Sequence, residues 1–372
     1  MSAKDADNPK SKAEPALDDL RERIDDIDVT IQKLIAERAQ TAREIGDRKG
    51  AQKAADYYRP EREAQVLRRV KERNAGPLSD EEMVRVFREV MSACLAQEEP
   101  LKVAYLGPEG TFTHQAVAKH FGHSVRALSV PTINEIFHEV ESGTADFGIA
   151  PVENSTEGTV NHTLDMFLTS PLKICGEVEL RIHQHLMGRM ADIGQIKRIC
   201  SHSQSLAQCR GWLAQYVPNV DLIPVSSNAE AARRARDEDG TAALAGDAAA
   251  LVYDLSILFR EVEDHGDNTT RFLTIGRKLF PPSGADKTSL LISHAGEQGP
   301  GLLLGLLKPL ADHGINMTRI ESRPSRRRKW DYVFFVDVDG HAQESPLAEV
   351  IEEISKQTDL IRVLGAYPKA VV

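Results

Sequence analysis

Six consecutive residues, Asp267, Asn268, Thr269, Thr270, Arg271 and Phe272, bring an amide, two hydroxyls and a guanidinium to the start of a β-prone run. A turn signal at Gly266, Asp267 and Asn268 precedes them, so these groups stand at the mouth of a strand, where open α/β sheets hold ligands. Two more polar clusters fall at strand ends. One runs from Pro151 through Glu153 and Asn154 to Gly158; the other is Ser201, His202, Ser203 and Gln204, with Gln208 one helical turn on. Each alone also reads as a helix cap. Together they suit a small dianion.

A second set of ionisable residues lies where apolar ones are expected. From Leu17 to Lys49 the apolar spacing of Leu20, Ile24, Ile27, Ile31, Leu34, Ile35 and Ile45 predicts one helix about 48 Å long. Arg38 and Lys49 fall inside that stripe. A second helix starts at Pro60 and carries Glu63 on its Val66, Leu67, Val70 face. A third follows the capping box Ser79 to Glu82 and carries Glu98 amid Val84, Phe87, Met91 and Leu95. Charges on apolar faces are expensive unless they meet one another or a charged ligand. Snorkelling at the stripe edge or a buried salt-bridge cluster accounts for them equally well. So long a one-faced helix needs a partner, which predicts a dimer.

The elements that must position these groups come in three blocks. Residues 1–16 read as a disordered polar head, and residues 17–98 as the all-α module. Residues 101–280 alternate short strands with helices, two of them opened by the capping boxes Thr132 to Glu135 and Ser227 to Glu230, an α/β domain of two lobes around a cleft. Its first strand ends in the glycine-bearing turn Gly107 to Thr113, which is neither a P-loop nor GxGxxG. Residues 287–370 have the order βαββαβ, a ferredoxin-like module.

Composition narrows the function. With 46 Lys and Arg against 56 Asp and Glu, the net charge of −10 argues against bulk nucleic-acid or anionic-membrane binding. The basic run Arg326 to Lys329 reads as a solvated loop. Cys94, Cys175, Cys200 and Cys209 have no CxxC spacing, so neither a zinc site nor a disulfide framework is suggested. His183 and His185 share a strand face without a third ligand and read as solvent or core-edge histidines. No metal or cofactor is called for, and a reduced, cytoplasmic enzyme is expected.

The helical pattern resembles the chorismate mutases that head bifunctional chorismate mutase/prephenate dehydratases. The matching residues are Leu20, Arg21, Ile24, Asp28, Ala36, Glu37, Arg38, Gly46 and Lys49, then Pro60, Arg62, Glu63 and Leu67. The Pro-x-Glu-Asn, Ser-His-x-Gln and Thr-Arg-Phe segments resemble the dehydratase domain of the same family, whose two lobes are like those of periplasmic binding proteins. Gly299 to Leu304 and Glu321, Ser322, Arg323, Pro324 resemble the phenylalanine-binding segments of its ACT regulatory domain.

The resemblance implies that Arg38, Lys49, Arg62 and Glu63 bind chorismate, with Arg21 donated by the partner chain. It implies Thr270 as hydrogen-bond donor to the hydroxyl leaving prephenate, with Glu153, Asn154, Ser201, Gln208, Asn268, Arg271 and Phe272 around the substrate. It implies phenylalanine as effector on Gly301, Leu302, Leu303 and Glu321 to Pro324. Three positions depart from the family pattern. Arg59 replaces an acid, Cys94 a serine, and Glu98 a glutamine that donates to the ether oxygen, so mutase activity should fall as Glu98 deprotonates. A dehydratase with an inactive mutase module and a non-catalytic amino-acid-responsive binding protein are the alternatives; mere binding would not require Thr270. Separate modules further imply that a chain lacking residues 285–372 stays active and loses its response to phenylalanine.

Overall fold

The computed structural model describes residues 17–49, 58–97, 99–293, 301–325 and 332–371. The chain divides into two compact units, residues 1–51 and 52–372. The division falls inside the span expected for the helical module.

The described residues of the first unit form one continuous helix, α1 (Leu17–Lys49), with Asp18 and Asp19 in its first turn, where their charges suit the N-terminus. Its apolar stripe is open: Ile24 is 57% and Leu34 58% exposed.

The second unit begins with α2 (Pro60–Arg73) and α3 (Asp80–Leu95). Pro60 sits in the first turn of α2, and Ser79 caps α3 by accepting from Glu82 N at 3.2 Å. Tyr58, just ahead of α2, packs its ring on Phe121 and Phe147 at 5.4 and 5.1 Å. These helices therefore lie against the α/β domain.

The first lobe follows as β1 (Lys102–Leu106), α4 (Phe112–Phe121), β2 (Arg126–Val130), α5 (Ile133–Ser142), β3 (Phe147–Asn154), β4 (Gly158–Thr159), α6 (Asn161–Phe167) and β5 (Lys173–Arg181). The second lobe holds β6 (His185–Gly188), β7 (Arg198–His202), α7 (Ser203–Gln208), α8 (Arg210–Tyr216), β8 (Asp221–Val225), α9 (Asn228–Asp237), β9 (Thr241–Ala245), α10 (Asp247–Tyr253) and β10 (Ser256–Phe259). The chain then returns, and β11 (Thr269–Gly276) enters the first-lobe sheet between β3 and β5, antiparallel to both. The two-lobed α/β expectation holds, and the return strand is the one that carries Thr270.

The last module is β12 (Asp286–Ser293), α11 (Leu302–Asp312), β13 (Met317–Pro324), β14 (Tyr332–Asp339), α12 (Leu347–Ser355) and β15 (Leu360–Pro368). Its sheet order, β13-β14-β12-β15, is that of the expected ferredoxin-like module. It is not a free-standing appendage. Leu291, Phe335, Leu364 and Tyr367 share one buried apolar cluster with Ile136, Phe167 and Leu273 of the first lobe. Removing residues 285–372 would take Leu291, Val333, Phe335, Leu364 and Tyr367 out of that cluster, which changes the expectation of an active truncated enzyme.

Candidate active site

Strand alternation sorts the Thr-Arg-Phe segment into two faces. Thr270 pairs in register with Asn154, and Arg271 with Glu153. On the front face Asn154 Nδ2 donates to Thr270 Oγ1 and to Asn268 Oδ1, both at 2.8 Å. Asn154 Oδ1 meanwhile accepts from the backbone N–H groups of Thr156 and Glu157 at 3.0 and 3.1 Å. Those two donors fix which way the amide faces. Thr270 Oγ1 is thereby an acceptor from nitrogen, and its own proton remains for another partner. Asn268 is buried, and its carbonyl accepts from Ile182 N at 2.8 Å where the chain crosses to the second lobe.

The back face is different. Glu153 pairs with Arg319 at 3.1 Å. The Arg271 guanidinium donates to Glu177 at 2.8 Å, to Asp337 at 2.7 Å and to Tyr367 Oη at 3.0 Å. Burial pushes its pKa down, but Tyr367, Asp337 and Glu177 outweigh that and hold it above the usual arginine range. Lys287 shares Glu177 at 2.7 Å. Glu153 and Arg271, expected around the substrate with Asn154 and Thr270, are thus turned to the other side of the sheet by the two-residue period. Phe272, past a β-bulge, is 2% exposed in the core.

Ser201 and Gln208 stand in a separate second-lobe network. Ser201 is fully buried and donates to Leu244 O at 2.7 Å and Asn228 Oδ1 at 3.0 Å. Asn228 Nδ2 donates to Gln184 Oε1 at 3.4 Å, and Gln184 Nε2 to Gln208 Oε1 at 3.5 Å. Asn228 and Gln184 are members that sequence reasoning misses, because Ser227 to Glu230 reads only as a capping box. The front-face cluster and this network flank the two crossing segments, since Asp264 N donates to Gln208 O as Ile182 N does to Asn268 O.

His185 is buried, with Nε2 3.2 Å from Asp247, and His183 lies 2.7 Å from Glu263, as core-edge histidines would. Among the described residues, no group of three or more His, Cys, Asp or Glu is placed to hold a metal ion, and no helix is long and apolar enough to cross a membrane.

In the helical segments, Arg21 and Arg38 belong to α1, which Lys49 ends, and Glu98 lies outside the described residues. Arg21 pairs with Asp18 at 3.1 Å, and Arg62 is exposed, 3.5 Å from Gln65 Oε1. Glu63 instead faces Arg88 at 3.8 Å, a partner the helical wheel does not single out. Both line a small open cavity of about 40 Å³ with Tyr58, His120, Cys175 and Lys369. Burial, partly offset by Arg88, lifts the Glu63 carboxyl to about 7. Burial and Arg88 push His120 down to about 3.

In the last module Gly301 adopts φ +92° ahead of α11, which Leu302 opens, and Leu303 is 40% exposed. Side chains of β13 alternate strictly. Glu321 accepts from Thr159 Oγ1 at 2.9 Å and Arg323 donates to Asp165 at 2.9 Å, both toward the first lobe. Ser322 and Pro324 face the other way and are exposed. The four residues expected around one effector are thus divided between two faces.

Comparison with known proteins finds three family models along the chain. Residues 20–99 match the type II chorismate mutase family model, 103–279 the prephenate dehydratase model and 288–356 the ACT domain model. A bifunctional chorismate mutase/prephenate dehydratase of Pseudomonas aeruginosa is 53% identical over 95% of this chain and 98% of its own length. One of Neisseria gonorrhoeae is 48% identical over 95% and 97%. The crystal structure of Arthrobacter aurescens prephenate dehydratase in complex with L-Phe superposes with a TM-score of 0.66 at 34% identity, covering 72% of this chain and 90% of that one. A protein described as a quorum-quenching acylase reaches the same 0.66 at 31% identity, over 73% of this chain and 98% of its own. Identity at this level along nearly the whole chain places it in one family: the chain belongs to the bifunctional chorismate mutase/prephenate dehydratases.

Proposed function

We propose that the chain converts chorismate to prephenate in its helical module and prephenate to phenylpyruvate at the front face of the first-lobe sheet. The observation that carries the second step is the oriented pair of Asn154 and Thr270. In that step the ring carboxylate leaves as CO₂, its bonding pair enters the ring, and the hydroxyl departs as water once it takes up a proton. Aromatisation supplies the driving force, so the enzyme must assist a poor leaving group and orient the dianion. A Thr270 hydroxyl that accepts from an amide has its proton free to donate to that leaving group. Its partner is an amide and not a base, so the arrangement suits a donor better than the activated nucleophile an acylase needs.

The mutase step is pericyclic and needs no nucleophile. Arg38, Lys49, Arg62 and Arg21 of a partner chain would clamp two carboxylates, and Glu63 with protonated Glu98 would supply hydrogen bonds. The open apolar stripe of α1 supports a homodimer, since so much exposed apolar surface is stable only when covered. Phenylalanine is the proposed effector, bound at the Gly301 turn and the exposed face of β13. A cytoplasmic location suits four free cysteines.

The test compares Thr270→Ser with Thr270→Ala on prephenate. Serine keeps a donor and should retain most of the turnover; alanine should lose on the order of 10²-fold or more. Equal loss in both would remove Thr270 from the donor role.

A further inference from the structure

Glu153 and Arg271 are cross-strand neighbours directly behind Asn154 and Thr270. Each is ion-paired to the last module. Arg319 reaches from β13 to Glu153 at 3.1 Å and also donates to Thr159 Oγ1 at 3.2 Å, with its side chain only 10% exposed. Arg271 reaches the other way, to Asp337 of β14 at 2.7 Å, with its side chain 11% exposed. Asp337 is held in turn by Ser289 Oγ at 2.6 Å. Both arginines line one small cavity between the two sheets, walled by Val152, Leu164, Phe167 and Phe335.

The geometry points to a reciprocal two-point clamp, Arg319 on Glu153 and Arg271 on Asp337, by which the last module's sheet sets the spacing of Asn154 and Thr270. Arg319 and Arg271 are then positioning residues of the dehydratase. The inference rests on the reading of Thr270 and Asn154 as the dehydratase pair. Its logic is the pleat of the sheet. A shift of Glu153 or Arg271 along its strand moves the adjacent residue on the opposite face by the same amount, because one backbone carries both. β13 obeys the same rule. Ser322 and Pro324 are exposed on one face, while Arg319, Glu321 and Arg323 grip the first lobe on the other. A ligand that moves the exposed face must move the gripping one. Guanidinium–carboxylate pairs have the directionality to pass that movement on; both arginines and Asp337 are largely buried, while the Glu153 side chain is 41% exposed.

The experiment uses the full chain with Arg319→Gln, Glu153→Gln and the double variant. Prephenate kcat and KM are measured, L-phenylalanine binding is followed by calorimetry, and coupling is taken as the ratio of L-phenylalanine affinities with and without a saturating non-reactive prephenate analogue. Each single variant should lose about tenfold or more in that ratio and lower kcat more than it raises KM, while L-phenylalanine still binds. The double variant should be no worse than either single one, since both remove the same link. Wild-type coupling in a folded single variant, or fully additive losses, overturns the clamp. Should Arg319→Gln not fold, Arg319→Lys keeps the charge without the two-pronged reach; it too must lose coupling, and unchanged coupling overturns the proposal. Should wild-type enzyme not bind L-phenylalanine, the effector reading fails instead, and the clamp is judged on the fall in kcat alone. A wild-type kcat in Arg319→Gln then overturns it.

Discussion

Asn154 and Thr270 face each other across the β3–β11 ladder, and the amide donates to the hydroxyl rather than the reverse. That direction gives the first prediction. Asn154→Asp puts a carboxylate, which has no N–H, opposite Thr270. The Thr270 proton would then turn toward that carboxylate and away from the leaving group. Dehydratase kcat is expected to fall on the order of 10²-fold, read with prephenate as substrate. A variant with near wild-type kcat would show that the orientation of this pair is immaterial.

Arg271 joins Glu177 and Asp337, whose side chains are only 3% and 7% exposed. Arg271→Met leaves Asp337 with Ser289 and Glu177 with Lys287 but removes the charge between them. Breaking a buried pair of this kind costs about 3–5 kcal/mol, measurable by urea unfolding. A loss under about 1 kcal/mol, as at a surface pair, would mean that the joint is hydrated and loose.

The separability of the last module is tested by cutting the chain at residue 285. The cluster that joins the last module to Phe167 and Leu273 would lose Leu291, Val333, Phe335, Leu364 and Tyr367, and Arg271 would lose Asp337 and Tyr367. The shortened chain should aggregate or melt well below the full chain, followed by circular dichroism and sedimentation. A soluble, fully active fragment would contradict the shared core.

Glu63 gives a pH signature. Its folded-state pKa, about 7, lies above the ordinary carboxyl value of 4.5, so between those values the folded state holds a proton that the unfolded state has released. Stability from this group is complete below about pH 4.5 and is lost as pH rises through 7, a change on the order of 3 kcal/mol. Glu63→Gln should flatten unfolding free energy against pH in that window and leave the variant the more stable protein at pH 8. An unchanged slope would show that Glu63 is solvated or fully paired in the folded state.

Much of this is legible in the residues. Period 3.6 spacing marks α1, capping signals mark the starts of α3, α5 and α9, and the order of apolar runs gives the last module. Asn154, Asn268 and Thr270 stand out as polar groups at strand ends, and the structure joins them. What cannot be read is which face each takes. The period of two sends Arg271 and Glu153 behind the sheet, and that depends on the register of β3 with β11 across more than a hundred residues of chain. Arg319 and Asp337 escape for a related reason. Alternating charged residues on strands look like solvated faces until a second sheet is placed against them. Arg88 likewise gains meaning only once α2 and α3 lie on the first lobe beside His120.

The most direct measurement supplies chorismate to purified full-length chain and follows chorismate, prephenate and phenylpyruvate separately, for the wild type and Thr270→Ala. Wild-type enzyme should consume chorismate and pass through prephenate to phenylpyruvate. Thr270→Ala should consume chorismate at the wild-type rate and stop at prephenate, because the pair it breaks lies on the first-lobe sheet and the proposed mutase residues lie in the helical segments. Chorismate left untouched by the wild type, or both activities lost together in Thr270→Ala, would contradict two reactions at two sites.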